Sequence, residues 1–239
     1  MALRVLHLCQ FHFEDQDIRV VGSEVDGGTS LAGITDVVET SGGGYWQGDW
    51  SGADFGGRSD EERAETLAWR AVNAGLSGGR PAVVPACDRW HQPVISTGRT
   101  VPHSDGTPFS DGSEYVNGRS SAFVLEVVNG QDGGLNCTIL DIAITSDRPL
   151  IGGERFTYIG AGGWNERMAE IASVEDVPGG KRISFIPPIR GGIGPGDPLD
   201  FDTPRCVMRR ASEPTNALNM GLWSSASITM VEDMRDPEL

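Results

Sequence analysis

The chain has 239 residues, 38% of them hydrophobic, with 33 glycines, 14 prolines and a formal net charge of −15. No run of about 18 or more uncharged apolar residues occurs, which argues against a membrane-crossing helix, and Met1 to Phe13 lacks the basic start and clean apolar stretch of a signal peptide. The acidic balance excludes a general nucleic-acid binder, because neutralising phosphates needs clustered Lys and Arg. A soluble, non-sticky surface is one reading of that charge, and a surface that nucleic acid can pass without being held is the sharper one.

The glycine content, well above the usual level of about 7%, implies many turns and short elements, so a β-rich chain with few helices is expected. Ile18 to Val25 alternates weakly and reads as a strand. Leu31 to Thr40 is a second candidate. Three glycines, Gly42 to Gly44, precede Tyr45, Trp46 and Trp50, which read as a strand edge packing on a helix, or as a sugar-binding platform. The clearest helix runs from Ser59 to about Ala74. Ser59 is a natural N-cap, with Glu62 three residues on as the capping-box partner and Asp60, Glu61 and Glu62 favoured by the dipole. Ala64, Leu67, Ala68, Ala71 and Val72 recur at helical spacing and form the expected buried stripe, so Leu67→Asp should unseat the helix.

Pro81 to Cys87 reads as a short buried strand. Asp88 to Asp111 is polar and lacks periodicity, which suggests an extended loop or arm. Ser121 to Val128 and Leu135 to Ile144 read as a hairpin, followed by Glu154 to Gly160 with Phe156 and Tyr158 on one face. Arg167 to Val174 leads through Pro178-Gly179-Gly180 into Lys181 to Met208. There Ile183 and Phe185 share a face, Pro187-Pro188 ends the strand, and Gly191 to Asp197 turns the chain. Leu199 and Phe201 resume the alternation, and Val207 continues it. Strands this short at regular spacing suggest a small barrel. Glu213 to Met220 is a polar link, and Ser224 to Val231 is a last strand.

Candidate chemistry is sparse. His7, Cys9 and His12 offer three zinc donors without a fourth. Asp15 and Asp17, and the acidic loop Asp105 to Asp111, lack EF-hand spacing. Asp197, Asp200 and Asp202 read as the wet side of an alternating strand, not as a glycosidase pair. Ser77 follows a helix and is not in a nucleophile elbow. His91 and His103 have no Ser or Cys partner, and the glycines of 191 to 196 do not open a helix. No catalytic, metal or cofactor residue is assigned. Cys9, Cys87, Cys137 and Cys206 are widely spaced beside apolar residues and read as buried free thiols of a reducing compartment, with one disulfide as the alternative.

Three blocks together resemble the distal tail proteins of long-tailed bacteriophages and gene transfer agents: ERAETLAWRAVNAGLSGGRPAVVP; RPLIGGERFTYIG with GGKRISFIPPIRGGIGPGDPLDFDTPRCVMRRA; and WSSASITMVEDM. The resemblance implies a mainly β fold with two parts. A tail-tube-like β-sandwich or split-barrel ring domain with one α-helix would comprise 1–113 and 213–239, including the long loop 88–111. A small OB-like β-barrel would be inserted over 114–212. It implies a non-enzymatic virion protein of the tail tip, made in the host cytoplasm. The expected partners are further copies in a six-membered ring, the tail tube protein and the tail-tip hub protein. DNA would pass through the channel without specific binding, and no membrane is involved. A carbohydrate- or receptor-binding β module of the tail tip is the alternative function.

Overall fold

The computed structural model describes residues 3–29, 31–33, 35–88, 91–93, 100–101, 107, 110–111, 115–116, 124–127, 136–143, 149–160, 166–213, 215–218 and 224–235. The protein is mainly β. Strands β1 (Asp15–Val21), β2 (Glu24–Thr29), β3 (Thr35–Glu39) and β4 (Tyr45–Phe55) precede helix α1 (Asp60–Gly75) and β5 (Ala82–Pro85). Then come β6 (Thr100–Val101), β7 (Tyr115–Val116), β8 (Val124–Val127), β9 (Ile139–Ala143), β10 (Arg155–Ile159), β11 (Glu166–Val177), β12 (Gly180–Ile186) and β13 (Pro198–Asp200). Strands β14 (Arg205–Arg210), β15 (Thr215–Leu218) and β16 (Ser224–Glu232) follow.

Two units form. The first joins Met1–Cys87 to Arg205–Leu239, and the second is Asp88–Pro204. The first unit is thus made of two separated stretches of chain, with its divisions at 87/88 and 204/205, against the 113/114 and 212/213 of the expectation. Strand β14 leaves the barrel side of the division because it pairs with β5 and β16, with Cys206 opposite Val84 and Arg209 opposite Val231.

The first unit's sheet has the order β1-β4-β16-β14-β5. Strand β15 adjoins β16 on the same side as β14: Arg210 faces Met230 and Thr215 faces Ser227. The expected polar link over Glu213 to Met220 therefore contains a strand, because pairing with a neighbour outweighs weak local patterning. Strand β4 is central, not an edge, and buries Trp46 and Trp50 while Gln47 and Asp49 face the other way. Trp50's indole lies over Gly48, where an added Cβ would overlap the ring. At Gly52, with φ +80°, the strand bulges, and Ala53 and Phe55 take over the buried positions. Strand β16 supplies Ala226, Ile228 and Met230 to the same face as Trp46 and Trp50, as its alternation anticipates.

Ser59 caps α1 as expected, its Oγ accepting from the Glu62 amide at 3.2 Å. Glu62 accepts from the Arg58 amide at 2.7 Å instead of closing a reciprocal box on Ser59. The buried face is not the expected one. Trp69 and Val72 are buried, whereas Leu67 is 49% exposed and Ala64, Ala68 and Ala71 face solvent. A buried Trp removes roughly 150–250 Å² from water, more than a row of methyl groups can, so the indole sets the helix orientation. Trp69 stacks on Phe55 with ring centres 5.7 Å apart and meets Phe11 and Phe13 edge-on at 5.6 and 5.7 Å. Leu67→Asp should consequently leave α1 seated.

The four cysteines are not all free. Cys9 and Cys87 form a disulfide with Cα atoms 5.9 Å apart, while Cys137 and Cys206 are free. The pairing follows from a parallel bridge between Val5 and Val83: Leu6 donates to Val83 O at 2.8 Å, and Val83 donates to Arg4 O at 3.0 Å. Cys9 then lies in a 3-10 turn, Leu8–Phe11, anchored by buried Leu8 and Phe11. Strands β2 and β3 form a separate hairpin, each pairing, among the described residues, only with the other.

The second unit is an antiparallel barrel ordered β10-β11-β12-β9-β8-β13. It closes through one residue pair, Thr157 against Asp200. The expected alternation is present, with Ile183, Phe185, Leu199, Phe201, Phe156 and Tyr158 in the core. Gly180 is required at the β11–β12 turn, since a Cβ there would overlap the Ile142 carbonyl. The hairpin of β8 and β9 is present, though its connecting residues 128–135 lie outside the described residues. So does most of the stretch 88–111, whose described part includes β6, paired with β7.

Candidate functional site

The sequence candidates for chemistry disperse. Cys9 is consumed by its disulfide, and exposed His12 stands 3.9 Å from Glu65. Among the described residues, no group of three His, Cys, Asp or Glu side chains could hold a metal ion. Asp197 accepts from the Gly194 amide at 2.7 Å, and Asp200 accepts from Asp202 N at 3.0 Å. These carboxylates hold turns: Asp200 ends β13, whereas Asp197 and Asp202 lie just outside it. His103 lies outside the described residues. His91 pairs with Asp88 at 2.7 Å beside a cavity of about 540 Å³ in the barrel unit. Its neighbours there are structural: Glu154 accepts from the Ile151 and Gly152 amides at 2.8 and 2.7 Å, and Gln92 accepts from Arg155 N at 3.3 Å. Among the described residues that line that cavity there is no Ser, Thr, Cys or Lys.

The richer surface is the polar face of the first unit's sheet. Asp49 gathers three strands there, accepting from Thr229 at 2.6 Å, Gln47 at 3.0 Å and Arg19 at 3.0 Å. Arg19 also pairs with Asp17 on its own strand. Burial pushes the Asp49 pKa up, but these hydrogen bonds and the Arg19 charge together outweigh burial and hold it below the ordinary 3.8.

At one end of this face lies a groove of about 650 Å³, lined by residues that include Tyr45, Arg209, Val231, Met234 and Arg235. Its two carboxylates are occupied. Glu232 accepts from the Trp46 amide at 3.1 Å, completing the hydrogen bonding of a buried strand start. Asp233 takes the Arg235 guanidinium, with Nη2 at 2.6 Å. Burial raises the Asp233 pKa, and the bonds and charge of Arg235, with the nearby Arg209 charge, more than offset this and hold it below 3.8. Arg235 also bonds the Gly79 carbonyl. Sequence reading missed this groove, because its residues come from β4, β14 and the end of β16 and share no local spacing.

The aromatic platform considered for Trp46 and Trp50 is closed to ligands: both rings are at most 1% exposed. On the first unit's sheet the arrangement consists of a polar face, strand edges and a groove whose carboxylates are already engaged. No family model matches the chain, and no curated protein matches it.

Proposed function

We propose that this chain is a structural ring protein of a phage-type tail tip, joining the tail tube to the hub and leaving a channel for DNA. The single observation that carries the reading is the organisation of its sheet unit. A sheet with one long helix is interrupted between β5 and β14 by a barrel with its own core. That is the plan the family resemblance calls for, with the lone terminal strand returning to the first sheet.

The sheet also has the edges a ring needs. Strand β1 ends one side, and the segment Arg4 to Leu6 beside β5 ends the other. Two different edges on one molecule allow head-to-tail pairing between copies, which closes into a ring when the rotation suits. The acid excess of the chain would leave a channel wall that repels DNA. The protein acts by fit and carries out no reaction.

Electron microscopy of the purified chain, with its mass in solution, tests this. Sixfold rings with an open centre are expected. A chain that stays monomeric at high concentration, or that clears a cell-wall substrate in a gel, would overturn it.

A further inference from the structure

The β2–β3 hairpin is a surface in search of a partner. Val25 lies opposite Val38 on one face, and both are at least half exposed, as is Val37 on the other face. Leu31, in the turn, is fully exposed. A two-stranded ribbon alone is marginally stable in water, so this one needs a surface to rest on. From Glu24 to Thr40 it carries four carboxylates and no cation.

The groove at the end of the polar sheet face has the complementary chemistry. Tyr45, Val231 and Met234 give it apolar walls; its carboxylates, Glu232 and Asp233, are buried, whereas the Arg235 side chain is 57% exposed and Arg209 is half-buried, so the charge that reaches solvent there is that of the guanidiniums. Arg235 is matched by Asp233, and the Arg209 charge bears on the same carboxylate without closing a salt bridge to it. We propose that the hairpin turn of one copy, led by Leu31, seats in this groove on a neighbouring copy. This rests on the ring reading and deepens it by naming the surfaces that meet.

The hairpin's length makes the contact intermolecular. Its base joins the sheet beside Tyr45, through the Val21–Tyr45 pair and the Ser23–Thr40 hydrogen bond at 3.0 Å. At about 3.3 Å per residue, its turn lies roughly 20 Å from that base, while Tyr45 itself lines the groove. Turn and groove are different surfaces, so the contact can repeat head-to-tail from copy to copy, the kind that builds rings. Leu31 would be the buried anchor, with the acidic flanks of the hairpin meeting the arginine side of the groove.

The test mixes two full-length variants, Leu31→Cys and Met234→Cys, under mild oxidation, with peptide mass spectrometry of the product. Seating places the thiols at millimolar effective concentration, so micromolar chains should yield a 31–234 crosslink about a hundredfold above a Leu31→Cys and Ile159→Cys control pair. Leu31→Asp, at a position too exposed to matter for folding, should weaken association at least tenfold, and so should added salt. Arg209→Glu should do the same. Rings that form without the 31–234 crosslink, or with 31–31 as the main product, would overturn the seating and leave the ring reading standing. A chain monomeric under all conditions would overturn both.

Discussion

Removing the Cys9–Cys87 disulfide should strip a large share of the first unit's stability. The two residues are 78 apart in sequence, so the link closes a long loop in the unfolded chain. The chain-entropy relation puts the gain from closing such a loop at about 4.5 kcal/mol at 25 °C, before any cost in the folded state. That is a large fraction of the total stability of an ordinary domain, about 5–15 kcal/mol. The perturbation is the double variant Cys9→Ser with Cys87→Ser, or the unchanged chain under reducing conditions. Urea unfolding followed by tryptophan fluorescence should show one transition moving down by roughly 2 M, given a slope of about 2 kcal/mol per M. A barrel transition, if resolved, should stay in place, since neither cysteine lies within Asp88–Pro204. Titrating thiols in the denatured, unreduced chain should find two, Cys137 and Cys206. Four reactive thiols, or a midpoint indifferent to reductant, would refute the reasoning.

Four further substitutions probe other parts of the fold. Gly48→Ala pushes a methyl group into the buried Trp50 ring and should cost about 1–3 kcal/mol, read as a lowered melting temperature with altered near-ultraviolet dichroism. Trp69→Ala should cost about 3–5 kcal/mol in thermal melts, whereas Leu67→Asp should shift stability by less than about 1 kcal/mol; the reverse order would restore the alanine stripe as the buried face. Asp49 and Asp233 both have pKa values below 3.8 in the folded chain, so each lends stability that is fully present above that value. This contribution is lost as pH falls through their lower folded values, and Asp49→Asn should flatten the acid limb of a stability–pH curve.

Strand existence was legible wherever alternation was strong. Ile183, Phe185, Leu199 and Phe201 announced the barrel core, and Ser59 announced the start of α1. What stayed hidden depends on partners distant in sequence. The helix face was misread because Ala64, Leu67, Ala68 and Ala71 recur with Val72 at core spacing though only Val72 is buried, while the single Trp69 finds three aromatic neighbours from other segments. The disulfide was obscured because only the Val5–Val83 bridge brings its ends together. Strand β15 has no pattern of its own, and β14 looks like barrel until β5 and β16 claim it. The groove could not be found by spacing, since Tyr45, Arg209 and Arg235 meet only after the sheet is assembled.

Arg205 stands directly opposite Pro85, so the backbone leaves for the barrel and comes home at the same rung of one ladder. Directly opposed residues in such a ladder are about 5 Å apart, a gap that a few residues can span. The host sheet thus asks of its guest only that its two termini meet. A different guest module, or a short bridge, would satisfy that condition equally well, with the Cys9–Cys87 clasp still guarding the doorway.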